Sequence, residues 1–245
     1  MRAINIIFRR ELASYFATPV AYVFILVFLV LAAALPFYLG AFFERGQADL
    51  APFFNFHPWL YLFLIPAISM RLWAEERRNG SIELLMTLPL TLWQAVLGKF
   101  LAAWAFAAVA LALTFPMWIT VNWLGSPDNG AIFTAYLGSL LLAGGFLDIG
   151  GCMSALTRNQ VIAFVLSVVA CFAFLLAGFP LVLDAFSGWA SDALVNAIAQ
   201  LSFLTHFEAI SKGVIDLRDL LYFLLTIVFF LLATVIVLDS RKAQA

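Results

Sequence analysis

The residues in this chain that could do chemistry are few, and most of them crowd into one stretch. EERRNGSIELLMTLPLTLWQAVLGK, Glu75–Lys99, sets Glu75, Glu76, Arg77 and Arg78 side by side and follows them with Glu83 and Lys99. Elsewhere charge is scarce: charged residues are 11% of the 245 and apolar residues 65%. Asp148 is the single acid in the run Gly130–Thr157. Acids within a membrane are costly and face a bundle interior, water or a partner. Asp148 is therefore read either as the polar lining of a path or as a helix-packing acid near water. His57 and His206 have no acid–base–nucleophile set around them in the sequence, and Cys152 and Cys171 have neither metal nor disulfide spacing. No GxxxxGK[ST] phosphate loop occurs; the nearest fragment, LGKF, lacks the upstream glycine and the hydroxyl. HExxH and GxSxG are also missing, as are long basic patches for nucleic acid. The expectation is a chain that is no ATPase, binds no metal or cofactor of its own, and takes no nucleic acid as partner.

What positions these residues is a set of hydrophobic segments. Mean hydropathy is +1.04, and several uncharged runs approach or exceed the roughly 20 residues a helix needs to cross a bilayer. The clearest are Pro19–Ala41, Phe100–Trp123, Val161–Leu183 and Leu220–Leu238, and Pro52–Met70 and Gly130–Thr157 complete a set of six. In a six-span arrangement, ten of the 13 basic residues fall on the side of the termini. Arg45, Lys212 and Arg218 alone fall on the other. That bias places both termini in the cytoplasm. The expected fold class is an all-α polytopic membrane protein with six transmembrane helices, forming one domain over residues 1–245.

Between the spans lie three informative segments. In residues 1–18, Ile4, Ile7, Phe8, Leu12, Tyr15 and Phe16 share one helical face while Arg2, Arg9 and Arg10 lie off it, as in an interfacial helix. Glu11 falls on the apolar side, so it either tilts to water or has a basic partner, with Arg77 and Arg78 as candidates. In residues 74–99, Gly80 or Ser81 can cap a short helix, Ser81–Thr87, that Pro89 stops. Thr91 and Gln94 then have the spacing of a capping box for the next helix. In residues 184–219, LSFLTHFEAISKG reads as a short amphipathic helix stopped by Gly213, lying at or dipping into the outer face. Asp216 and Asp219 would cap the last span.

EERRNGSIELLMTLPLTLWQAVLGK resembles the cytosolic loop of ABC type 2 permeases, through Glu75, Glu76, Arg78, Gly80, Ser81, Ile82, Glu83, Leu84, Leu85, Thr87, Pro89 and Val96–Lys99. FRRELASYFATP is similar to that family's N-terminal connecting helix, including Arg9, Arg10 and Glu11. SALTRNQVIAFVLS and HFEAISKGVIDLRDLLYF resemble its gliding-motility-type branch. The resemblance implies the transmembrane subunit of an ATP-driven exporter in the cell membrane, the inner membrane in a bacterium. It implies pairing with a second permease chain and docking on a separate cytosolic ATP-binding subunit that carries the ATP and magnesium. The helix after Gly80 would be the coupling helix, its apolar residues Ile82, Leu85 and Met86 seated in the ATPase and Glu75, Glu76, Arg77 and Arg78 transmitting the motion. Arg158 would mark a second cytosolic contact. His206, Glu208, Gly213, Asp216, Arg218 and Asp219 would belong to an external gate, although capping and interfacial packing alone explain Gly213, Asp216 and Asp219 almost as well. Two other readings stay open: a non-transporting subunit that drives an extracytoplasmic accessory protein, and an ion-coupled carrier using Asp148, whose role the family does not supply.

Overall fold

The computed structural model of the chain describes residues 2–82, 90–187 and 191–242. It is all-helical, with 82% helix and no strand among the described residues. The helices are α1 (Arg2–Phe16), α2 (Pro19–Tyr38), α3 (Ala51–Asn55), α4 (His57–Ser69), α5 (Arg71–Asn79), α6 (Leu92–Ala112) and α7 (Phe115–Leu124). They continue as α8 (Asn129–Leu156), α9 (Gln160–Leu176), α10 (Pro180–Ser187), α11 (Asp192–Ala199), α12 (Phe203–Ser211) and α13 (Leu217–Lys242).

Among the described residues, four helical segments are long and apolar enough to cross a membrane: Pro19–Tyr38, Leu92–Leu124, Asn129–Leu156 and Leu217–Ser240. A fifth arises if α11 and α12, bent by 59°, count as one span. Two expected spans are thus shorter than the hydropathy of the sequence suggests. Pro52–Met70 is interrupted at Phe56, where Pro58 restarts the chain as α4. Val161–Leu183 becomes the 17-residue α9, ending before Gly178, and Pro180 opens α10. Proline has no N–H to continue the preceding turn, so each acts as a helix start rather than an interior residue. The run Phe100–Trp123 breaks similarly at Leu113–Thr114, just ahead of Pro116.

The core is organised around α8, which packs against α4, α5, α6, α9, α12 and α13. Within its most apolar window 67% of residues are buried, against 28% for α2 and 22% for the last span. Small residues make that centrality achievable. A Cβ on Gly138 would lie 2.9 Å from Ile210, one on Gly144 3.0 Å from Ile227, and one on Gly150 2.0 Å from the Ser69 hydroxyl. The outward faces of α2, α9 and α13 stay apolar and exposed, through residues such as Val23, Leu26, Val165, Val169, Leu225 and Phe229. Faces of that size suit lipid or another protein.

Candidate functional site: a buried charge cluster

α5 carries the charged sequence RLWAEERRN and ends at Gly80, whose φ of 71° closes the helix in the left-handed region that glycine tolerates. Just N-terminal to it, the helix hydrogen bonding lapses at Met70. The Trp73 and Ala74 N–H groups, which an unbroken helix would give to Ser69 and Met70, donate instead to the Ser154 hydroxyl at 3.1 and 3.0 Å. That hydroxyl in turn donates to the Met70 carbonyl at 2.8 Å. One side chain of α8, fully buried, thus supplies three contacts that the α4–α5 junction lacks. Ser154→Ala is expected to destabilise the protein by about 1–3 kcal/mol, because two buried donors and one acceptor lose their partner. Thermal unfolding in detergent measures this.

Most of the charges of α5 are then held by neighbours. Lys99 of α6, only 3% exposed, donates to Glu76 Oε1 at 2.7 Å and to the Leu72 carbonyl at 2.9 Å. Its ammonium also lies 3.8 Å from Glu11 Oε1 and 4.9 Å from the Trp73 ring centroid. Glu11 is held by Arg10 at 2.6 Å, and Glu75 by Arg71 one turn back at 3.3 Å. These three cations and three acids line one pocket of about 510 Å³ between α1, α5 and α6. Arg77 Nη1 donates to the Ala155 carbonyl near the C-terminus of α8, where a cation suits the helix dipole. Arg9, Arg78 and Arg158 are exposed, and Arg158 sits on the turn between α8 and α9. Ser81 Oγ reaches the Glu76 carbonyl at 3.5 Å and Ile82 packs on the core. Of the helix expected at Ser81–Thr87, the positions Glu83, Leu85 and Met86 lie outside the described residues, as does Pro89.

Glu11 therefore has basic partners, but they are Lys99 and Arg10 and not the candidates Arg77 and Arg78. The connecting face of α1 meets α6 closely: Ile7 lies where a Cβ on Gly98 would come within 2.9 Å, and Tyr15 stacks on Phe106 at 5.2 Å. The expected capping box is present, with Thr91 N to Gln94 Oε1 at 3.2 Å and Gln94 N to Thr91 Oγ1 at 3.3 Å. Neither Lys99 as the hub nor Ser154 as the junction cap was read from the sequence. The VLGK ending of the charged stretch was the available signal for Lys99, whereas Ser154 had none.

The remaining candidates sit apart. Asp148 is 3% exposed in the interior of α8. On the other side of the molecule, His206 Nδ1 lies 2.6 Å from Asp219 Oδ1 and Nε2 lies 3.0 Å from the Gln200 carbonyl. The His206 ring stacks on Tyr222 at 3.9 Å. Asp219 thus ties α13 to α12 rather than capping α13; that cap is Asp216, whose Oδ1 accepts from Arg218 N at 2.9 Å. His206 does have an acid partner, which the sequence reading lacked. Gly213 ends α12 with φ 89°, Glu208 pairs with Lys212 at 3.8 Å on the surface, and Arg218 is exposed. His57 Nδ1 meets Ser139 Oγ at 2.7 Å, and Tyr61 shares the same hydroxyl at 2.7 Å. All three are buried among aromatic rings, a packing network with no access for a substrate.

The family model for ABC-2 family transporter proteins matches residues 53–242. The chain belongs to this family. The match begins in α3 and runs to the end of α13, so the ABC-2 assignment covers the charged helix α5, the hub Lys99, the central α8 and the α10–α12 segment alike. With it, the chain is a multi-pass membrane protein of a permease family whose members typically work with an ATP-binding subunit. A search of curated proteins returned no match.

Proposed function

We propose that this ABC-2 protein is the permease subunit of an ATP-driven exporter, moving substrate as a separate cytosolic ATPase closes and opens. The observation that carries this reading is the way α5 is fastened. Its charged side chains are fixed to α1 through Lys99 and Glu11, to α6 through Lys99, and to α8 through Arg77 and Ser154. It leads directly into the hydrophobic cytosolic segment 81–89, which reads as the coupling helix. A push on that segment is delivered to three helices at once. In this reading the chain has six spans with cytoplasmic termini, α3–α4 and α9 being the two short ones. It pairs with a second permease chain, and the bent α11–α12 pair forms an external gate latched to α13 by His206 and Asp219. The enclosed position of Asp148 supports a role inside the protein rather than that of an ion-carrier site.

Co-purification tests the reading. Wild-type protein expressed with the ATPase encoded beside it is expected to retain that subunit in detergent, and the Glu83→Lys, Leu85→Asp double variant is expected to lose it while still folding. Retention by both forms would remove segment 81–89 as the docking element, and retention by neither would remove the ATPase coupling itself.

A further inference from the structure

Lys99 and Asp148 border one small space behind the charge cluster. Both line a small cavity together with Leu72, Trp73, Gly151 and Thr234. Its volume, about 10 Å³, corresponds to roughly one water-sized probe, near the lower limit of about 10–15 Å³ for holding a water. An ammonium has three donors. Lys99 gives two of them to Glu76 and the Leu72 carbonyl, and its approach to Glu11 at 3.8 Å is too long to use the third. Asp148 Oδ2 is buried and finds no hydrogen-bond partner among the described residues. Thr234 Oγ1 donates to the Phe230 carbonyl at 2.8 Å and is also hydrogen-bonded with the Cys152 thiol, which leaves one of its two lone pairs to accept. The residues that carry one unused donor and two available acceptors therefore line the same one-molecule space.

We propose that this cavity binds a single water molecule that joins Lys99 to Asp148. The water accepts from Lys99 Nζ and donates to Asp148 Oδ2 and Thr234 Oγ1, three hydrogen bonds being the usual complement of a buried water. The site fixes Asp148 as a positioning residue for Lys99 and extends the charge cluster into the centre of α8 and onto α13. It is built from this chain alone and stands whether or not an ATPase docks.

Gly151→Ala is the discriminating variant. A Cβ at Gly151 would make an ordinary 3.6 Å contact with Leu72 Cδ1, so the methyl enters the cavity without forcing the backbone. In a dry cavity it would fill space and improve the helix, raising the Tm. With a bound water it displaces the bridge and strands Lys99 and Asp148, and the Tm is expected to fall by roughly 2–4 °C. An unchanged or raised Tm overturns the proposal. A wild-type density map that resolves ordered waters gives an independent reading. A peak within hydrogen-bond distance of both Lys99 Nζ and Asp148 Oδ2 is expected, and a map without it overturns the proposal even if the alanine variant does not fold.

Discussion

Gly150→Ala is expected to lower the Tm of the purified protein by roughly 6–12 °C, the scale of an overpacking cost of about 3 kcal/mol in a chain of this length. Helix propensity alone predicts the opposite sign, since alanine is favoured over glycine by about 1 kcal/mol in a helix interior. The contact decides. A Cβ at position 150 would lie 2.0 Å from Ser69 Oγ and 2.8 Å from Ser69 Cβ. Rotating the hydroxyl relieves the first clash and leaves the second, so α8 and α4 must separate. The pair Gly150→Ala, Ser69→Gly removes both atoms and is expected to recover most of the loss. If the single variant melts at or above the wild-type temperature, the close α4–α8 approach is wrong.

The second large effect belongs to Lys99. Lys99→Met is expected to cost about 3–5 kcal/mol, the range for removing one partner of a buried ion pair. Glu76, its closest acid, has a side chain only 18% exposed and would lose its cationic partner. Adding Glu76→Gln should restore part of the stability, because the stranded charge and not the lost contact dominates the loss. Glu11→Gln should cost less than about 1 kcal/mol, since Glu11 sits beyond hydrogen-bond distance of Lys99 and keeps Arg10 on the surface. A double-mutant cycle read by thermal unfolding checks all three, and additivity of Lys99→Met with Glu76→Gln would show that the two residues do not interact.

What could be read from the sequence was local. The amphipathic face of α1, the Thr91–Gln94 capping box, the stop at Gly213 and the close helix approach along α8 each depend on residues within a few turns of one another, where propensity and periodicity speak directly. The run lengths were less faithful. Hydropathy sees Pro52–Met70 and Val161–Leu183 as continuous, whereas the backbone restarts at Pro58 and Pro180. The site was the least legible part. Lys99 and Glu11 are 88 residues apart, and Ser154 lies 81 residues from the Trp73 N–H that it accepts from. No periodicity links such positions. A lysine inside an apolar helix is conspicuous in sequence, but only the packing of α1 and α5 onto α6 shows which acids it serves.

The borrowed cap at the α4–α5 junction has a mechanical meaning. A helix that lapses at Met70 would ordinarily be an elbow, free to flex where its own hydrogen bonds are missing. Here the pin of that elbow is Ser154, a side chain of the helix next door. Swinging α5 away from α4 must either withdraw the pin, at the cost of exposing two donors and an acceptor, or carry α8 along. The joint is therefore a stiff lever rather than a soft hinge: small displacements at the charged end of α5 are passed inward undamped, and only a load large enough to pull the pin would let it bend.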